Sequence, residues 1–131
     1  VPLNPMLVHG QCHGGIVAGI GQAVLERTAY EGESGQFLSA SFQDYALPRA
    51  DRLPSFTTEL SETLAPGNAL GVRAGGEGGT TPALGVVVNA IVDALAEFGV
   101  EHLEMPVTPE RVWRAIQAGK TASGFKSAPG T

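Results

Sequence analysis

The sequence predicts an α+β chain of about three helices with a small antiparallel or mixed sheet, and three observations predict it. Apolar residues recur at helical spacing over residues 14–28 and again over 81–98. Residues 56–64 are rich in β-formers with partial alternation. Clusters of Gly and Pro cut the rest of the chain into short pieces. At 131 residues and 43% hydrophobic, the chain is long enough for one domain with its own core.

The elements follow in order. After the Asn4-Pro5 turn, Ile16, Val17, Ile20, Val24 and Leu25 mark a helix over residues 14–28. Gly15, Ala18, Gly19 and Gln22 share one of its faces, and such small residues let another backbone come close. Residues 28–30 and 37–40 read as short strands around the polar turn 31–35, a hairpin. Pro48 and Pro54 make the stretch between them a surface connection. Residues 56–64 give the best strand, and Pro66-Gly67-Asn68 a turn. A second helix runs from Thr81 to about Phe98, with Thr80 or Thr81 as N-cap, Pro82 in its first turn and Gly99 just past its end. Its only non-apolar stripe is Gly85, Asn89, Asp93 and Glu97, which predicts burial on most sides. Thr108 caps and Pro109 opens a short terminal helix. The domain spans residues 1–118, and 119–131 read as a flexible tail.

Composition excludes several classes. Eight Lys and Arg against thirteen acids, with a net charge of -5, give no electrostatic footprint for nucleic acid. The longest apolar stretch is interrupted by Asn89, Asp93 and Glu97 and is shorter than the roughly 20 residues that span a bilayer, so no membrane span is expected. One cysteine, Cys12, allows no internal disulfide, which suits a reducing compartment and makes the cytoplasm the expected location. The Val1-Pro2 start, with no Met and no signal-peptide core, reads as a piece of something longer.

The chemistry concentrates in residues 71–80, where five of ten positions are glycine and Glu77 is the lone acid. Glycines let a backbone press against a ligand, and the helix start behind them favours an anion or an oxo group. No Gly-Lys-Ser/Thr follows and no G-x-G-x-x-G occurs, so nucleotide-loop readings fail. Two readings of Glu77 stay open on spacing alone: an acid that complements the helix dipole, and a general base in a partly desolvated pocket. Gln11, between glycines, offers a ligand both a donor and an acceptor, or simply caps a loop. His9, Cys12 and His13 share one helical face with ligand-like spacing, but a structural zinc takes four ligands and no second cluster supplies the fourth, so no metal is assigned to them. Cys12 as a nucleophile is weighed against an inert small hydrophobe, the commoner role.

Five collinear motifs carry a resemblance: Gly10-Gln11 with His13-Gly14-Gly15, Gly19 with Gly21-Gln22-Ala23, Asp44 to Ala50, Gly71 to Thr80, and Met105-Pro106 with Thr108-Pro109 and Arg111-Val112-Trp113. Together, over about residues 4–117, they resemble the C-terminal end of the molybdenum-binding large subunit of the xanthine dehydrogenase, aldehyde oxidase and aerobic carbon monoxide dehydrogenase family. The resemblance implies a molybdenum held by molybdopterin, in the cytosine dinucleotide form, with water as the oxygen source. It implies FAD and 2Fe-2S clusters on partner domains or subunits, a small-molecule substrate such as an aldehyde, an N-heterocycle or CO, and an oligomeric enzyme. Glu77 matches the family's base, Gln11 the glutamine at the metal's oxygen ligand, and Arg73, Ala74, Gly75 and Gly76 the loop against the cofactor. The family usually has Lys at the place of Arg73, and Arg is a planar, permanent cation placed to hold Glu77 ionised. Most cofactor contacts and the substrate pocket belong to the remainder of the large subunit, so the chain is expected to be inactive alone. The competing reading is a non-catalytic structural or interaction module, or a truncated gene product.

Overall fold

Asn4 starts the first helix, α1, which runs Pro5–Val24. Its side-chain Oδ1 accepts from the Leu7 N–H at 3.1 Å, and Pro5 supplies a preset φ where no N–H is needed. The computed structural model describes residues 2–122. The helix therefore begins nine residues before the expected position 14. Gly10 and Gly14 look like helix breakers in sequence, yet both lie inside α1.

The second helix, α2, is Thr80–Ala94, and a short 3-10 turn, Ala96–Phe98, carries it to Gly99. Gly99 is left-handed at φ 71°, a stop that glycine adopts without strain. Neither Thr80 nor Thr81 caps α2. The cap position is Gly79, with no side-chain hydrogen bond, and both threonines lie within the helix. The third helix, α3, is Pro109–Ala122. Thr108 Oγ1 accepts from the Arg111 N–H at 3.4 Å at its start. It runs past Gly119, so residues 119–122 of the expected tail are helical, and the rest of that tail lies outside the described residues.

The α+β expectation fails. Among the described residues there are three α-helices and no strand, so the fold is helical. The predicted hairpin shrinks to one antiparallel bridge, Tyr30 to Phe37, whose rings lie 5.2 Å apart. The turn is closed by backbone bonds, the Glu31 N–H donating to the Gln36 carbonyl and the Leu38 N–H to the Ala29 carbonyl, each at 2.8 Å. The Glu31 carboxylate adds to them, accepting from the N–H of Glu33 and Ser34 and from Ser34 Oγ. Residues 54–65 carry no assigned helix or strand. The β-forming pattern is answered only over residues 56–60, where Phe56, Thr58 and Leu60 are half-buried and Thr57 and Glu59 exposed, packing that needs no ladder.

The crossing of α1 and α2 is the centre of the molecule. A Cβ at Gly15 would stand 2.9 Å from the backbone N of Thr80, and one at Gly19 would stand 2.5 Å from the Ala83 Cβ. Gly79 returns the fit, since a Cβ there would meet the Cys12 carbonyl O at 2.5 Å. Gly15 and Gly19 thus carry the predicted close approach, while Gln22 from the same predicted face is exposed. The buried apolar residues are few and small: Ala23, Ala83, Leu95 and Val107. The Val107 N–H donates to the Ala23 carbonyl at 2.6 Å and joins the approach to α3 to the end of α1. Pro48 lies against Gly21, and Tyr45 donates to Glu26 at 2.6 Å, fastening the connection that follows the bridge. That bond raises the Tyr45 phenol above its ordinary pKa by favouring its protonated form. The expected burial of α2 on most sides is not observed. Pro82, Gly85, Val86, Asn89, Ala90 and Asp93 are exposed, because α1 covers one face only.

Candidate functional site

The glycine loop is held at its root. Gly71 has φ 65°, a left-handed conformation against the Leu64 side chain, and its N–H donates to the Asn68 carbonyl at 3.0 Å. Asn68 then grips Val72 from both sides: Nδ2 donates to the Val72 carbonyl and Oδ1 accepts from the Val72 N–H, each at 3.0 Å. An asparagine side chain with donor and acceptor side by side suits this double bond. The Ala65 N–H donates to the Gly71 carbonyl at 2.9 Å and closes the turn.

Beyond Val72 the loop is open. Among the described residues, none of the backbone N–H groups of residues 73–78 donates a hydrogen bond. A Cβ at Gly75 or Gly76 would meet nothing within 4 Å. Glu77 is exposed, and its carbonyl accepts from the Thr81 N–H at 3.1 Å as the chain turns into α2. A run of free amides beside a helix N-terminus, with room above the glycines, has the chemistry to receive an oxygen-rich or anionic group. Arg73 does not pair with Glu77 among the described residues. Its Nη2 donates instead to the Leu64 carbonyl at 3.3 Å.

Gln11 is brought to this loop from α1, 65 residues away in sequence. Its Nε2 donates to the Gly76 carbonyl at 2.9 Å. One donor position of the amide is thereby occupied, and Oε1 stays available as an acceptor. Of the predicted site residues, Gln11 and Gly76 are bonded directly. Arg73, Ala74 and Gly75 instead line an open cavity of about 510 Å³ together with Leu3, Leu7, Leu60 and Leu64.

His9 and His13 do not assemble with Cys12 into a metal centre. Both imidazoles meet one hydroxyl, Thr58 Oγ1, at 2.6 Å from His9 Nδ1 and 3.3 Å from His13 Nε2. A hydroxyl has one proton to give, so the other ring must donate to it. Cys12 is half-buried beside Gly79, Pro82 and Ala83. Among the described residues no three His, Cys, Asp or Glu side chains are grouped to hold a metal ion. Two residues that shape the site escaped sequence reasoning. Asn68 had a signal in its Pro66-Gly67-Asn68 turn, whereas Thr58 had none, because its partners lie 49 and 45 residues away.

Residues 1–54 match the family of the molybdopterin cofactor-binding domain. The chain is 43% identical over 117 residues to the nicotine 6-hydroxylase large subunit of Paenarthrobacter nicotinovorans, covering 89% of this chain and 14% of that one. Among solved structures, quinoline 2-oxidoreductase from Pseudomonas putida 86 superposes with a TM-score of 0.82 at 38% identity, over 88% of this chain and 14% of that one. A Cu,Mo-CO dehydrogenase superposes with a TM-score of 0.83 at 32% identity, over 89% and 15%. The chain belongs to the family of molybdenum-binding large subunits that includes the carbon monoxide and xanthine dehydrogenases. It spans about one-seventh of the length of these relatives.

Proposed function

We propose that this chain supplies one wall of the molybdenum site in a hydroxylase that oxidises an aldehyde, an N-heterocycle or CO with oxygen drawn from water, and that it is inactive alone. The observation that carries the reading is the open loop of residues 73–78, whose unengaged amides and bare glycines stand against Gln11 and end at an exposed acid. A molybdenum–molybdopterin group, in the cytosine dinucleotide form, supplies the redox chemistry when bound. Gly75 and Gly76 would allow it close approach, and the unengaged N–H groups of residues 73–78 would be the donors that hold it. Gln11, fixed through Nε2 on Gly76, offers Oε1 and its second N–H to the same place. Glu77 accepts a proton at its carboxylate and acts as the general base. Exposure in this chain leaves Glu77 without the dry surroundings a base needs, and the remainder of the large subunit supplies them.

Electrons leave through FAD and 2Fe-2S centres on partner subunits, and the assembly is a cytoplasmic oligomer. In the described residues no helix is long and apolar enough to cross a membrane. Relatives bear names such as "large subunit" and "complex subunit gamma", which supports a multi-subunit setting. Glu77→Gln in the assembled enzyme tests the reading. Turnover should fall at least about 10²- to 10⁴-fold, the ordinary contribution of a general base, with molybdenum content unchanged. An unchanged rate would remove Glu77 from the chemistry.

A further inference from the structure

Two peptide planes of the glycine loop are held by side-chain amides. A trans peptide is flat and its N–H points opposite to its carbonyl, so whatever fixes a carbonyl also aims the N–H of the next residue. Among the described residues the only cis bond is Met105-Pro106, so both of these planes are trans. Gln11 Nε2, on the Gly76 carbonyl at 2.9 Å, aims the Glu77 N–H. Asn68 Nδ2, on the Val72 carbonyl at 3.0 Å, aims the Arg73 N–H, the first of the unengaged amides of residues 73–78. Asn68 holds its plane more firmly than one bond can. Its Oδ1 accepts from the Val72 N–H as well, so Val72 cannot turn about either backbone bond without breaking one of the two. Its own carbonyl accepts from the Gly71 N–H at 3.0 Å, which fixes the base of the clamp. Arg73 adds one longer bond, 3.3 Å from Nη2 to the Leu64 carbonyl, which anchors a side chain and no peptide plane of the loop. Three of the six residues 73–78 are glycine, so the backbone beyond the clamp has little stiffness of its own.

We propose that Asn68 is a positioning residue of the molybdenum site, acting through Val72 to preset the Arg73 N–H as a donor toward the group the loop receives. The bond to the Val72 carbonyl is the one that matters, because it alone sets the plane that carries the Arg73 N–H. A donor aimed in advance stabilises developing charge without reorganising at the moment of reaction, so the effect falls on the rate and not on substrate binding. The clamp lies at the surface and supports no core, so direction of the loop is its consequence. The role rests on the functional reading above, whereas the clamp exists without any cofactor.

Asn68→Asp and Asn68→Ala in the assembled enzyme test the proposal. Asn68→Asp keeps an acceptor for the Val72 N–H but sets an oxygen against the Val72 carbonyl, and Asn68→Ala removes both bonds without adding a charge. Turnover is read on whichever of an aldehyde, an N-heterocycle or CO the wild-type assembly oxidises. In both variants kcat per molybdenum should fall at least about 10-fold with KM unmoved. Hydrogen exchange should quicken in the peptide covering residues 73–78 and stay unchanged in those covering α1 and α2. Wild-type kcat in Asn68→Asp overturns the proposal, as does a rise in KM at constant kcat. Failure of both variants to assemble also overturns it, since Asn68 would then serve folding. Glu77→Gln measured alongside separates the two readings. A dead Glu77→Gln beside active Asn68 variants removes Asn68 from the site and leaves the functional reading standing. Quickened loop exchange beside a fully active Glu77→Gln removes that reading, and the role of Asn68 with it.

Discussion

Gln11 Nε2 donates to the carbonyl of Gly76 at 2.9 Å and ties the first helix to the glycine loop across 65 residues of chain. The bond is exposed, and a hydrogen bond contributes about 0.5–1.5 kcal/mol net, so Gln11→Ala should lower stability by no more than about 1 kcal/mol. Its effect on chemistry should be larger. In the assembled enzyme turnover should fall at least about 10-fold, because loop position and not folding is what the amide fixes. Chemical denaturation of the chain and steady-state kinetics of the assembly measure the two effects side by side.

Glycines at the helix crossing and away from it should respond in opposite directions. Gly19→Ala drives a Cβ to 2.5 Å from that of Ala83, and Gly79→Ala sets one equally close to the Cys12 carbonyl, so each should cost about 1–3 kcal/mol as an overpacked contact. Gly14→Ala meets nothing within 4 Å and lies in mid-helix, so it should stabilise by about 0.5–1 kcal/mol. Thermal melts of the three variants give the signs directly. A stabilised Gly19→Ala would show that the helices do not cross at this distance.

Thr58→Val removes the hydroxyl that both imidazoles share while keeping the side-chain shape. The extended segment should loosen from α1, at a cost of about 1–2 kcal/mol for the lost hydrogen bonds, and Thr58→Ser should recover most of it. Nitrogen chemical shifts of His9 and His13 report the bonded ring atoms. Shifts that ignore Thr58→Val would dissolve the contact.

Glu31 titrates unusually low. The Ser34 hydroxyl, then the N–H groups of Glu33 and Ser34, hold its carboxyl down from 4.5 to about 2. With the folded pKa depressed, its support of the turn is complete above the unfolded value and is lost as pH falls from about 4.5 through about 2. An NMR titration of the Glu31 carboxyl should show this low midpoint, and Ser34→Ala should move it upward. The site is fully exposed, so the turn, and not global stability, is where the effect appears.

How much was legible in the chain depends on the range of the interaction. Asn4 and Pro5 mark the true start of α1, yet Gly10 and Gly14 hid it, because local propensity penalises glycine in a helix. The glycine loop and Glu77 stood out through composition alone, and the five motifs in order identified the family. Local code also set the stop at Gly99 and the opening of α3 by Thr108 and Pro109.

What the sequence by itself determined was therefore the presence of three helices, the stop at Gly99, the family and the residues of the loop. Tertiary structure alone decided that residues 56–64 form no sheet, because a ladder needs a second strand and the pattern of residues 56–60 is satisfied by packing on α1. It alone decided that His9 and His13 turn to Thr58, and that Gln11 reaches Gly76. These pairings join residues 45 to 65 positions apart, and they exist only because Gly15, Gly19 and Gly79 leave room for two helix backbones to meet.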